Sequence, residues 1–217
     1  MAEHVLDLSA RFIDSGRVDS PPNRVTHELS EIADGVALVE AFSHVVVVST
    51  DDGLVAFDSS GPASGSRVLE SLRQWNREPF HTLVYTHGHI DHVGGSSAFA
   101  RDAESFGCPV PRVIGHENLS PRLRRYRATN GYNKVINARQ FGGLPTSTLS
   151  GANSDRPFVP DGTLEPVVDY SDTMTDEIGG IEFQFHHALG ETDDHTWTWI
   201  PQHRMISAGD QFIWNFP

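Results

Sequence analysis

Thr86-His87-Gly88-His89-Ile90-Asp91-His92-Val93-Gly94-Gly95 puts three imidazoles and a carboxylate within six residues, at positions 1, 3, 5 and 6 of the run His87 to His92. Imidazole nitrogen and carboxylate oxygen are donors that suit Zn²⁺, and alternating side chains where a strand end enters a tight loop can converge on one point. Gly88, Gly94 and Gly95 let the backbone turn closely there. A polar loop that merely happens to hold histidines is the competing explanation. It is the weaker one, because strand-type residues precede the run and helix-type residues follow it. A divalent cation is therefore the expected cofactor, zinc first, with Mn²⁺ or Fe²⁺ served by the same donors.

Such a run needs a frame that delivers it. Val36–Val39, Val45–Val48 and Leu54–Phe57 read as three antiparallel strands, with Asp51-Asp52-Gly53 as the hairpin turn between the last two. The unbroken valine run suits a strand covered on both faces. A helix is expected over Ser66–Trp75, with Val68, Leu69, Leu72 and Trp75 on one face. The strand Thr82–Tyr85 then delivers the histidine run, a helix follows from about Ser96 to Arg101, and Arg112–Ile114 is the next strand. Later, Ile181, Phe183 and Phe185 alternate with polar residues as in a half-buried strand. Thr196–Ile200 and Arg204–Ala208 follow, joined by a Pro201-Gln202-His203 turn, and the second strand ends at Gly209-Asp210.

The 217 residues suffice for one substantial core. Residues 1–34 read as an N-terminal extension, with Pro21-Pro22 breaking any helix, and residues 35–217 as the main domain. A net charge of −13 argues against nucleic acid as a partner, since phosphate binding needs a basic face. A single cysteine, Cys108, excludes an internal disulfide and a cysteine-rich zinc site. No stretch reaches the roughly 18–20 apolar residues of a membrane span, nor a signal-peptide pattern, so a cytoplasmic location is expected. Residues 121–139 are the most basic segment: a solvated helix face is the plain reading, a landing place for an anionic substrate the alternative. Residues 142–166, rich in Gly, Pro, Ser and Thr, read as a long loop, the kind that forms a lid or an excursion around a site.

His87-Gly88-His89-Ile90-Asp91-His92, then Gly190-Glu191-Thr192, then Gly209-Asp210, in that order, resemble the successive metal motifs of the metallo-β-lactamase fold. The resemblance implies an α/β, four-layer αββα sandwich with a two-zinc centre at one edge, and residues 35–217 as the catalytic domain. On that pattern His87 and His89 bind the first zinc, Asp91 and His92 the second, and Asp210 bridges them. Asp91 is the candidate catalytic carboxylate. Most of the superfamily has histidine where this chain has Glu191. The version Gly190-Glu191-Thr192-Asp193-Asp194-His195, followed by a Trp-containing strand, is similar to the alkyl sulfatase-like branch, as is Gly131–Phe141. Glu191 is then the third ligand of the first zinc. The branch also suggests Tyr132, Asn133 and Arg139 as contacts for the anionic group of the substrate.

The charge balance agrees with this ligand set. Two Zn²⁺ bring four positive charges and Asp91, Glu191 and Asp210 return three, so a zinc-bound hydroxide, the expected nucleophile, nearly neutralises the site. Glu191 in place of imidazole makes the first metal less electrophilic, which argues against a β-lactam substrate. Asp58, His187 and His195 are candidates to orient ligands from behind or to touch substrate, with a hydrogen-bonded structural role as the competing reading for the two histidines.

The family pattern completes the second zinc with a histidine on a later strand, whereas the sequence ends at Pro217, seven residues after Asp210. The sandwich is accordingly expected to be incomplete at its C-terminal end, with a hydrophobic edge exposed. The expected activity is hydrolysis of a small anionic ester such as an alkyl sulfate. The alternatives are a carboxylic ester, lactone or thioester hydrolase, β-lactamase and glyoxalase chemistry included, or a non-catalytic metal-binding fragment. A homodimer is left open.

Overall fold

The computed structural model describes residues 3–140, apart from 18, 20 and 22, and residues 155–213. Two sheets face each other. The first is seven-stranded in the order β1 (Leu29–Ala33), β2 (Val36–Val39), β3 (Val45–Thr50), β4 (Gly53–Phe57), β5 (Phe80–Val84), β6 (Arg112–His116), β7 (Val168–Tyr170). β1 to β4 are antiparallel neighbours and β4 to β7 run parallel. The second sheet holds β8 (Thr173–Ile178), β9 (Ile181–His187), β10 (Thr196–Ile200) and β11 (Met205–Ser207), all antiparallel, in the order β11-β10-β9-β8.

β4 shows how the chain uses both faces of the first sheet. Every residue of it is buried. Leu54 and Ala56 face one core with Val45, Val47 and Leu83, and that core is closed by helices α2 (Gly65–Trp75), α4 (Ser96–Phe106) and α5 (Leu119–Ala128). Val55 and Phe57 face the other with Val48, Val84 and Ile114, closed by Phe183, Phe185, Ile178 and Ile200 of the second sheet. This is why the strand reads as continuously apolar. Helix, sheet and sheet thus form three successive layers of the αββα sandwich. Neither core carries a helix on the outer face of the second sheet among the described residues.

Two elements go beyond the sequence expectations. The N-terminal extension, for which no helix was named, carries helix α1 (Val5–Ser15); its left-handed cap Gly16 ends it before Pro21-Pro22, so the prolines never interrupt it. Leu29–Ala33, on the N-terminal side of residue 35, pairs with β2 as the sheet's edge strand. The expected long loop lies outside the described residues for 142–154; of the remainder, Val159 and Thr163 are buried, Val159 in the first core.

Candidate metal centre

The parallel strands end on one edge, the side where open α/β sheets place their sites. β5 runs out through Tyr85 and Thr86 to His87, which is fully buried. His89 then caps a single helical turn, α3 (Ile90–Val93), closed by hydrogen bonds from the His92 and Val93 amides to the His89 carbonyl at 3.0 and 3.1 Å. That turn is pinned to the end of β4, where the Ser59 amide and hydroxyl donate to the His92 carbonyl at 2.8 and 2.9 Å. Glu191 arrives from the β9–β10 connection, and Asp210 from the 3-10 turn Gly209–Gln211 after β11. Donors from both sheets therefore meet at one point.

Two groups of ligand atoms have all members within 4.8 Å of one another: His87, His89 and Glu191, and His87, His92 and Asp210. Glu191 Oε2 lies 3.1 Å from His89 Nδ1 and 3.5 Å from His87 Nε2, and Asp210 Oδ2 lies 3.3 Å from His92 Nε2. Donors about 2.0–2.1 Å from a tetrahedral ion stand about 3.4 Å apart, so these spacings fit a shared cation. His87 Nε2 is also buried without a hydrogen-bond partner, the state of an imidazole whose partner is a metal. Asp91 belongs to neither group: its Oδ2 accepts from Ser43 Oγ at 2.6 Å and lies 3.6 Å from His92 Nε2.

The titration pattern suits a cation as well. Burial, then the neighbouring His92, His89 and His195, hold His87 well below the usual histidine range, so it stands as neutral imidazole. The hydrogen bond from His89 keeps Glu191 below its ordinary value despite burial. Burial pushes Asp210 up, but its hydrogen bond and charge interaction with His92 prevail and its pKa falls. For His92, burial opposes the charged form, yet Asp58, Asp210 and Asp91 around it raise its pKa well above 6.5. Three carboxylates gathered on one imidazole mark a place for positive charge.

Asp58 stands directly behind the site. Its carboxylate accepts from the Thr86 amide and hydroxyl, both at 2.8 Å, and pairs with His92 Nδ1 at 2.7 Å. It does so from a left-handed backbone with φ of 64°, strain that the three contacts hold in place. The fully buried His195 stacks on His87 with centroids 5.0 Å apart, and neither of its ring nitrogens has a hydrogen-bond partner. His187 stacks on His116 at 3.9 Å, and its Nε2 meets the Asp193 carbonyl at 3.1 Å.

Tyr132, Asn133 and Arg139 lie on α6 (Asn130–Gln140), and neither ligand group includes a residue of that helix. Tyr132 is 67% exposed, Arg139 is exposed, and the Asn133 amide donates to the Tyr126 carbonyl and Thr129 Oγ1, tying α6 to the end of α5. Two cations of the basic segment are engaged in ion pairs within the chain: Arg122 pairs with Asp193 and Asp194, and Arg127 with Glu165. Ser43, Thr86, Arg122 and Asp194 stand beside the centre and were not singled out as site residues from the sequence. Asp194 could have been, since it sits in the Glu191 run; Ser43 lies 48 positions from its partner Asp91 and no motif marks it.

A family model described as "Metallo-beta-lactamase superfamily" matches residues 38–213. The chain belongs to that superfamily. Within it, its similarity runs to the alkyl sulfatase-like branch: a linear primary-alkylsulfatase of Pseudomonas sp. (strain ATCC 19151) is 23% identical over 171 residues, covering 76% of this chain and 32% of that protein. The "2,4-dinitroanisole O-demethylase subunit alpha" of Nocardioides sp. (strain JS1661) is 30% identical over 96 residues, 43% of this chain and 27% of that one. Among solved structures, a Cronobacter sakazakii metallo-β-lactamase with a HARLDQ motif superposes with a TM-score of 0.62 at 17% identity, over 90% of this chain and 66% of that one. The chain thus spans about a third or less of the curated relatives it matches. Among the described residues no helix is long and apolar enough to cross a membrane.

Proposed function

We propose that this chain is the metal-binding part of a hydrolase acting on a small anionic ester, with an alkyl sulfate as the leading substrate. The observation that carries the reading is the convergence of His87, His89 and Glu191, and of His87, His92 and Asp210, within 4.8 Å in each group. In this reading His87, His89 and Glu191 hold a first divalent ion, zinc by donor type. His92 and Asp210 would hold a second, with Asp91, 3.6 Å from His92 Nε2, as a further candidate donor. Bound ions supply Lewis acidity and a water acidic enough to attack near neutral pH. The chain's own part is to hold the donors: Asp58 fixes the His92 ring through Nδ1, burial keeps His87 neutral, and the ionised Glu191 and Asp210 are ready to bind a cation without first losing a proton.

The similarity to the alkylsulfatase supports the sulfate ester. A second reading, removal of a methyl group from an electron-poor aryl ether, draws on the 30% identity to the demethylase subunit. Tyr132, Asn133 and Arg139 stay candidates for the anionic group, with Tyr132 and Arg139 exposed for it and Asn133 already engaged by α5.

The test is elemental analysis of the purified protein together with a substrate panel of alkyl sulfate, phosphate ester, carboxylic ester, β-lactam and dinitroanisole. Bound zinc and turnover of the alkyl sulfate are expected, both lost in His87→Ala. A protein that takes up no divalent metal, or whose turnover survives His87→Ala, contradicts the proposal. Turnover confined to dinitroanisole selects the second reading.

A further inference from the structure

Asp194 is a fully buried carboxylate that belongs to neither ligand group. Its Oδ2 accepts from the Gly88 amide at 2.9 Å, the peptide between His87 and His89. Its Oδ1 accepts from Thr192 Oγ1 at 2.5 Å, on the residue next to Glu191. The same Oδ1 lies 3.0 Å from Arg122 Nε, an ion pair whose N–H is not aligned for a hydrogen bond. Arg122, on α5, is itself only 11% exposed in its side chain, meets Asp193 through Nη2, and donates to the Tyr126 hydroxyl at 3.3 Å through Nη1. A Cβ on residue 88 would stand 2.7 Å from Arg122 Cδ and 2.8 Å from Asp194 Oδ2, so the glycine between the two histidines is the one residue that admits this contact.

We infer that Asp194, charge-paired with Arg122, is a positioning residue that fixes the His87–His89 peptide against the Glu191 loop and so sets the geometry of the first metal position. A buried carboxylate persists only when paired and hydrogen-bonded, and this one directs its hydrogen bonds to the two segments that carry His87, His89 and Glu191. Gly88 and Asp194 lie 106 positions apart along the chain, and the two segments come from different sheets. Asp193 is the natural contrast. Its side chain is 67% exposed and meets Arg122, but it makes no bond to either ligand-bearing backbone. Because Asp193 remains beside Arg122 when Asp194 is altered, the change does not strand a buried cation.

The inference rests on the metal reading proposed above, and the test separates the two. Zinc affinity is measured by competition with a chromogenic chelator for wild type, Asp194→Asn, Thr192→Val and Asp193→Ala. Visible spectra of the cobalt(II) forms and melting of the metal-free proteins are recorded alongside. Asp194→Asn is expected to bind zinc about ten-fold or more weakly, the range seen when groups behind metal ligands are removed, with an altered cobalt band. Thr192→Val, which cuts only the Glu191 arm, is expected to shift in the same direction. Asp193→Ala should match wild type in both. Wild-type affinity and an unchanged cobalt spectrum in Asp194→Asn, even with a lower metal-free melting temperature, would overturn the positioning role. If Asp194→Asn does not fold, Thr192→Val decides by the same two readouts. A wild type that binds neither ion removes the metal reading itself.

Discussion

His87 and His92 lie side by side with ring centroids 4.1 Å apart, yet their surroundings drive them to opposite protonation states when no metal is bound. His87 is depressed by burial and by its imidazole neighbours, so it contributes stability that is lost as pH falls below its unfolded value of about 6.5. His195, lowered chiefly by burial, adds to that limb. His92 is raised by Asp58, Asp210 and Asp91, so its contribution is full below about 6.5 and is lost as pH rises through its folded pKa. In chelator, urea unfolding across pH 5 to 9 is therefore expected to show these histidines pulling in opposite directions on either side of about 6.5. Asp58→Asn should flatten the alkaline loss, because asparagine tolerates the left-handed backbone at residue 58 while removing the charge that holds the proton on His92. An alkaline loss of unchanged size in Asp58→Asn would mean that Asp58 is not what raises His92.

At the scale of elements, the strand carrying the histidines is anchored at its opposite end. The Arg73 guanidinium of α2 lies 4.6 Å from the ring centroids of both Phe80, at the start of β5, and Phe106, at the end of α4. It also pairs with Asp102 through Nε at 3.0 Å and Nη2 at 2.5 Å, and donates to the Glu78 carbonyl at 2.6 Å. Arg73→Ala would remove both stacking contacts and leave a largely buried carboxylate without its cation, a loss of about 3 kcal/mol by urea unfolding. Arg73→Lys should recover less than half of it, since a point charge neither stacks nor pairs through a planar fork. Zinc affinity should be unchanged in both, because β5 presents Phe80 at one end and delivers His87 from the other.

Such elements differ in how plainly the sequence announces them. The antiparallel strands β2 to β4, the hairpin at Asp51-Asp52-Gly53 and the helix α2 follow from local patterning: short apolar, valine-rich runs for the strands, turn chemistry for the hairpin, and Val68, Leu69 and Leu72 on one face for the helix. Strands β7 and β8 pass unnoticed, because β7 is three residues long and β8 alternates exposed Thr173, Thr175 and Glu177 with residues of mixed type. The same divide runs through the site. His87, His89, His92, Glu191 and Asp210 carry motif spacing, whereas the contacts of Ser43 with Asp91 and of Asp194 with Gly88 join residues 48 and 106 positions apart; the first exists only once the first sheet has assembled, the second only once the two sheets have packed.

For the whole molecule, the candidate centre draws its donors from both sheets. His87, His89 and His92 leave the first sheet after β5, while Glu191 and Asp210 belong to the second. Without a cation, Asp58, Asp210, Asp91 and Glu191 crowd one another in a chain whose net charge, counting them, is −13. An ion that binds this arrangement but not the unfolded chain stabilises it by mass action, about 4 kcal/mol when free metal exceeds Kd a thousand-fold. For a chain of this length each kcal/mol moves the melting temperature by about 2–4 °C, so chelation is expected to lower it by about 8–16 °C. Dialysis against zinc should restore it. Magnesium should not, because imidazole donors suit it poorly. The measurement is a pair of melting curves with metal content checked by elemental analysis, and an unchanged melting temperature after verified removal of a bound ion would mean that the ion does not tie the sheets together.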